Sequence, residues 1–376
     1  MPRKENEQMI DIISPKRYLN APGALAETGA LVSPLAKRAL LVGSKTALAV
    51  AGDALRASLG AAGVAHETHE YNGFPTREAA QVTALRAKKC GAEALIAAGG
   101  GRIMDTVKTA GAYSGLSVVA VPTIAATCAP WAPVAILYTV EGAFSEAVPH
   151  KQSPVLVVAD SDVLAKAPAR YLRSGIADTF AKWYEVSPSL KHSDDIYLRL
   201  SVKYGELARE ILESKGASVA AAPTACSRSD FADVLDAIFL LAGLCGSIKS
   251  IDETQGIAHP LYNAFSLLPE LRPRLHGEKV AFGLVAQGIL EGQSEGETAH
   301  RLALFTALQI PLTLAGLGLT DGVDAKLALV CAAVKKMVPV YKALDTPYTE
   351  ADLLAAIKKA SLLAEDYQKT RLQKAG

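Results

Sequence analysis

Short aliphatic runs alternate with amphipathic helical stretches over the first 160 residues, and helical patterns fill the rest. Arg38–Gly43 (RALLVG) reads as a buried strand, apolar after its first residue, as a strand covered on both faces requires. A helix rich in Ala and Leu is expected over residues 45–59, a strand over 66–71 and a helix over 77–90. Residues 94–98 (ALIAA) read as a strand leading straight into three glycines, with a helix over 103–113 and a strand over 117–121 beyond. Residues 134–139 and 144–148 flank Glu141-Gly142 and read as a hairpin, and 154–160 (PVLVVAD) as another buried strand. Repeated strand–helix–strand units predict a parallel sheet with helices on both faces.

After Leu164 the strand signal fades. Helices are expected over 171–185, 197–213, 230–248, 278–290 and 324–338. A last one starts at Thr349-Glu350-Ala351-Asp352, an acidic form of the capping box, and runs towards Gln373. The expected architecture is an N-terminal α/β domain over residues 1–165 and an all-α domain over 166–376, with a ligand cleft between them.

Charge and cysteine usage narrow the partners. The chain has 39 Lys+Arg against 38 Asp+Glu, a net charge of +1, which argues against a nucleic-acid binder. Half of the residues are apolar, too many for a disordered chain. The five cysteines are scattered, odd in number and without a C-x-x-C, which disfavours a disulfide framework and fits a reducing cytoplasm. The opening MPRKENEQ leads into no signal-peptide core, and no run reaches the roughly 20 apolar residues of a membrane span. A soluble cytoplasmic protein, with neither membrane nor nucleic acid as partner, is the expectation.

Two features carry chemistry. Gly99-Gly100-Gly101 joins a strand to a helix, where free backbone N–H groups and missing side chains admit a diphosphate. The spacing is not G-x-G-x-x-G, and a tight turn alone would also use these glycines; the strand–turn–helix setting favours a ligand. Among seven histidines, His66 and His69 fall in a polar strand, and His150, His192 and His300 in polar loops or a polar helix. His259 follows small residues and His276 precedes an apolar helix. The two could meet at one metal with a carboxylate as third ligand, as catalytic zinc requires. Spacing alone leaves helix-cap or core histidines as the simpler account.

Five segments together resemble the glycerol dehydrogenase branch of the iron-containing alcohol dehydrogenases. AAGGGRIMDTVKTAG (residues 97–111) is similar to that branch's GGGxxxDxxK segment, and VPTIAATCAP (121–130) to its PTxxxTxAP segment. APARYLRSGIADTFAKWYE (167–185) resembles the segment carrying the metal-binding aspartate. AHPLYN (258–263) and LHGEKVAFG (275–283) resemble the two histidine segments. The resemblance implies a dinucleotide-binding α/β domain and a helical metal-binding domain, the dehydroquinate synthase-like fold. It implies a divalent metal, zinc before iron or another, on Asp178, His259 and His276. It implies NAD(P) at Gly99, Gly100 and Gly101, with Asp105 nearby and Thr123, Thr127, Val134 and Tyr138 as further contacts. The metal would act as a Lewis acid on a substrate oxygen while hydride passes between the substrate carbon and the nicotinamide. Homo-oligomers are the family's habit.

Departures from the branch point to the substrate. Cys128 stands where glycerol dehydrogenases carry an aspartate, Tyr262 where a second histidine is common, and Lys182 where the four-ligand iron branch has a histidine. Positions four apart share a helix face, so Lys182 projects beside Asp178 unless it pairs with Glu185. Cys128, Trp131 and Lys182, with the WYE at 183–185, look most like hydroxycarboxylate dehydrogenase A-type members, which reduce 2-oxo acids to 2-hydroxy acids. Losing a carboxylate and gaining an ammonium suits an anionic substrate. After the first strand, Ser44 and Lys45 replace the acid that holds the ribose diol in NAD enzymes, so NADP(H) is expected over NAD(H). The alternatives are a glycerol or diol dehydrogenase and, more remotely, a dehydroquinate synthase-like lyase.

Overall fold

A computed structural model describes residues 12–193, 195–248, 256–337 and 347–375. The opening MPRKENEQ and the expected helix end at residue 338 lie outside the described residues. The chain runs through β1 (Arg17–Ala21), β2 (Arg38–Gly43), β3 (Ala65–Glu70), β4 (Ala94–Gly99), β5 (Ser117–Pro122), β6 (Val134–Tyr138), β7 (Phe144–Pro149) and β8 (Leu156–Asp160). Six of these form one sheet in the order β3-β2-β4-β5-β8-β1, every pairing parallel. β6 and β7 form the expected antiparallel hairpin.

Strand alternation explains the two layers. Leu41, Ile96, Val119, Val121 and Val158 point to one face and meet Ala51, Leu55 and Leu59 of helix Lys45–Ala61. Leu40, Val42, Leu95, Ala97 and Ala120 point to the other. There they meet helices Arg77–Lys89 and Gly101–Ser114. A strand buried on both faces must be apolar throughout, which is why β2, β4 and β8 read so clearly.

β1 escaped the sequence reading. It is a half-polar edge strand, RYLNA, whose burial comes from its neighbours. Its polar groups face the helices: the Tyr18 hydroxyl and the Asn20 amide donate to Asp236 Oδ1 at 2.7 and 2.8 Å. The edge strand thus ties the sheet to the helical region.

That region is built around helix His276–Leu290, buried on nearly all sides. Helix Ala169–Tyr184 crosses it, and helices Ala258–Phe265 and Glu350–Ala375 pack alongside. The expected helix over 230–248 is present, with a π-helical turn at Ala237–Leu241 between its α-helical halves. The crossing depends on Gly277. A Cβ there would lie 1.8 Å from the Ser174 carbonyl oxygen, and the Gly277 N–H donates to Ser174 Oγ at 3.0 Å. Any larger residue would push the helices apart and take His276 away from Asp178, one turn beyond Ser174. No described helix is long and apolar enough to cross a membrane.

Candidate active site

Asp178 lies mid-helix in Ala169–Tyr184, His259 is the second residue of Ala258–Phe265, and His276 is the first of His276–Leu290. Their ligand atoms all fall within 4.8 Å of one another. His276 Nε2 lies 2.8 Å and His259 Nε2 3.4 Å from Asp178 Oδ1. Ligands around tetrahedral zinc stand about 3.3 Å apart, given zinc–nitrogen bonds of about 2.0–2.1 Å. The donor set, one carboxylate and two imidazoles on three helices, therefore fits a divalent metal with a position left open. Asp178 is only 3% exposed, and an isolated carboxylate there would cost several kcal/mol, so a cationic partner is required.

Without a metal, protons fill that role. Burial would raise the Asp178 carboxyl, but His276, His259 and Lys182 hold it well below the usual carboxylate range. Burial opposes a charge on His259, yet Glu185 and Asp178 raise its pKa to about 9. Burial lowers His276 against the pull of Asp178. A metal would displace the proton shared between His259 Nε2 and Asp178, leaving the ring's other nitrogen on Glu185.

Glu185, read from the sequence only as an alternative partner for Lys182, is the partner of His259. It caps the Asp178 helix, accepts the His259 backbone N–H at 3.1 Å and bonds the His259 Nδ1. Such an outer carboxylate fixes the tautomer and orientation of a ligating imidazole. The signal was present: residues 178, 182 and 185 fall on one helix face. Lys182 lies in the same field. Burial disfavours its ammonium, but Cys128, Asp178, Cys245 and Glu185 outweigh this and raise its pKa. Burial pushes the Cys128 thiol up, so Cys128 is neutral at pH 7. Trp131 is buried, donates to Ser247 Oγ at 3.1 Å and packs over Gly243 and the Tyr18 ring, so its side chain is committed to packing.

The expected cofactor residues gather at the C-terminal edge of the sheet. Gly99 ends β4, Gly100 caps the next helix and Gly101 opens it. A Cβ on Gly100 would strike Ile124 at 2.5 Å, so the turn and the following loop are in close contact. The Thr123 N–H donates to the Gly99 carbonyl at 3.1 Å, and Thr127 Oγ1 accepts from Ala129 N at 3.3 Å. Lys108 holds this loop by donating to the carbonyls of Ala129, Ala132 and Val134, while pairing with Asp105 at 2.9 Å. Burial raises the Asp105 carboxyl despite Lys108. Tyr138, on the hairpin, shares a 2.5 Å hydrogen bond with the Tyr262 hydroxyl. The Tyr262 ring stands edge-on to His276, centroids 4.1 Å apart. The hairpin therefore reaches the Asp178-His259-His276 cluster.

Two strands away from β5, Ser44 follows β2 and caps helix Lys45–Ala61 through Ala47 N at 3.2 Å. The Lys45 side chain is exposed, and its backbone N–H donates to Asn72 Oδ1 at 2.9 Å. Asn72 in turn donates to Glu70 Oε1 at 2.7 Å. Glu70 ends β3 in register with Gly43. An acid thus stands beside this edge, contributed by the neighbouring strand.

Comparison with known proteins finds a family match. The family described as iron-containing alcohol dehydrogenase matches residues 15–161. The chain is similar to a glycolaldehyde reductase of Halobacterium salinarum, 30% identical over 367 residues that span 96% of this chain and 98% of that one. It is similar to hydroxycarboxylate dehydrogenase A of Escherichia coli, 29% identical over 93% of this chain and 96% of that one. In fold it matches the crystal structure of a probable glycerol dehydrogenase from Sinorhizobium meliloti, with a TM-score of 0.86 and 24% identity, over 95% of this chain and 100% of that chain. With its sheet edge, its Asp-His-His cluster and relatives matched end to end, the chain belongs to the iron-containing alcohol dehydrogenase family, NAD(P)- and metal-using oxidoreductases that act on CH–OH groups.

Proposed function

We propose that this chain is a metal-dependent dehydrogenase that reduces small 2-oxo acids to 2-hydroxy acids, with NADP(H) preferred over NAD(H). The observation that carries the substrate class is Lys182, set with neutral Cys128 in the field of Asp178 and Glu185. Two carboxylates, one ammonium and a divalent cation leave a net positive site, which favours a substrate carboxylate. A metal held by Asp178, His259 and His276 would supply Lewis acidity to the substrate's carbonyl or hydroxyl oxygen, and the nicotinamide would supply or accept hydride.

The protein's own groups bind and orient. Glu185 holds the His259 ring so that its Nε2 faces Asp178. Lys182 offers an ammonium to the carboxylate of the substrate, an interaction that fixes which end of the molecule faces the nicotinamide. Gly99, Gly100 and Gly101 leave room for the diphosphate, and the loop bearing Thr123 and Thr127 lies against them. Val134 and Tyr138 bring the hairpin to the nicotinamide side.

Ser44 and the exposed Lys45 support binding of a 2′-phosphate. Glu70 favours the second reading, NAD(H), because its carboxylate would accept from a ribose diol and repel a phosphate. The similarity to a glycolaldehyde reductase likewise keeps a small neutral carbonyl in view. Initial rates of NADPH and NADH oxidation with 2-oxobutanoate, 2-oxoglutarate, glycolaldehyde and dihydroxyacetone, with and without zinc, separate the readings. The proposal expects kcat/KM highest for an oxo acid with NADPH. Turnover confined to the neutral carbonyls overturns the substrate class, and a preference for NADH overturns the cofactor choice.

A further inference from the structure

A cavity opens on the helical region, with a volume of about 720 Å³. That lies within the range of small-molecule sites. Its charged lining is Arg170, Arg173, Arg274, Arg371 and a single acid, Glu278. None of these residues belongs to the metal cluster or the glycine turn.

The acid does not balance the arginines. Glu278 is taken by Arg170 in a two-pronged pair at 2.6 and 2.8 Å, and it also accepts the Leu275 N–H at 2.8 Å, closing the first turn of helix His276–Leu290. Two of the others are oriented by neutral acceptors. Arg173 donates to the Gln309 side-chain oxygen, and Arg274 donates to the Leu317 carbonyl at 3.0 Å. Among the described residues, neither these two nor Arg371 has a carboxylate at ion-pair distance. Gln309 ends its helix in the left-handed conformation, φ 56°, where glycine is the usual choice. Glutamine there costs backbone strain and places an amide oxygen on Arg173. Three guanidinium groups without a carboxylate at ion-pair distance thus line one concavity, and their planar forks match the oxygens of phosphate or carboxylate groups.

We propose that this cavity is a binding site, separate from the active site, for a small polyanion bearing two or more phosphate or carboxylate groups. The probes are inorganic tripolyphosphate and citrate, titrated calorimetrically into the metal-loaded protein in 0.15 M KCl, which screens loose surface attraction. Both anions also chelate metal, so each titration is repeated on the metal-free protein, and only binding seen in both forms counts as binding to the cavity. Wild type should bind one or both with a Kd below about 1 mM, the tighter one naming the anionic group. Arg173→Gln/Arg371→Gln should weaken binding at least tenfold, and Arg371→Gln alone, on an exposed position, severalfold. No binding to wild type by either probe, or equal binding by wild type and both variants, overturns the proposal.

Discussion

Glu185 Oε1 accepts the backbone N–H of His259 at 3.1 Å while its other oxygen bonds the His259 ring Nδ1, so one carboxylate fixes both the residue and its imidazole. Removing it should leave a ligand that rotates. Glu185→Ala is expected to lower metal affinity by about 10–100-fold, with Glu185→Gln milder because its amide oxygen still accepts. Competition against a chromophoric chelator reads the affinity directly. Activity returning at high metal concentration would separate this effect from misfolding, and an unchanged affinity would remove the orienting role.

Lys182 stands one helical turn from Asp178, and its effect should depend on substrate charge. Lys182→Met is expected to raise KM for a 2-oxo acid by about 10–100-fold, the worth of a charge-assisted hydrogen bond. KM for dihydroxyacetone should change little. Steady-state kinetics on both substrates test this; equal losses on the two would mean that Lys182 supports the metal site and does not read the carboxylate.

The legible parts of this protein were those written locally. β4 is apolar end to end, and β2 and β8 are apolar apart from Arg38 and Asp160 at one end, because both faces are covered, and the chain states it residue by residue. β1 is not legible in this way, since RYLNA owes its place to β8 and to Asp236, more than 200 residues away. The candidate metal residues were reachable only through the segments around them, for nothing in the spacing of Asp178, His259 and His276 brings them together. What does so is the helix crossing at Gly277. Glu70 and the part Glu185 plays at His259 were missed for the same reason: each involves a residue far along the chain or on the next strand.

The sheet edge makes the cofactor choice testable from two sides. Lys45→Glu should raise KM for NADPH by about tenfold or more while sparing NADH, because it sets a carboxylate against the 2′-phosphate. Glu70→Gln should act in the opposite direction, improving NADPH and weakening NADH. Ratios of kcat/KM for the two cofactors give the answer, and a ratio unmoved by either substitution would place the adenosine end elsewhere.

Lys279 gives a stability prediction with a definite sign. It is 4% exposed, donates to the Leu271 carbonyl at 3.2 Å and lies 4.9 Å over the Tyr262 ring. Burial lowers its pKa to about 8 from an ordinary 10.5, against the pull of Glu278. Below pH 8 the ammonium is charged in both the folded and unfolded chains, and its burial subtracts from stability. Between pH 8 and 10.5 the unfolded chain holds the proton that the folded one has shed, so this contribution to stability rises with pH. Lys279→Met, which fills the same space without a charge, should therefore raise Tm at pH 7 by roughly 2–5 °C, and its advantage should shrink towards pH 10. Scanning calorimetry of both proteins at pH 7, 8.5 and 10 measures the difference. A Tm gap that stays constant across that range would show that the buried ammonium does not set it.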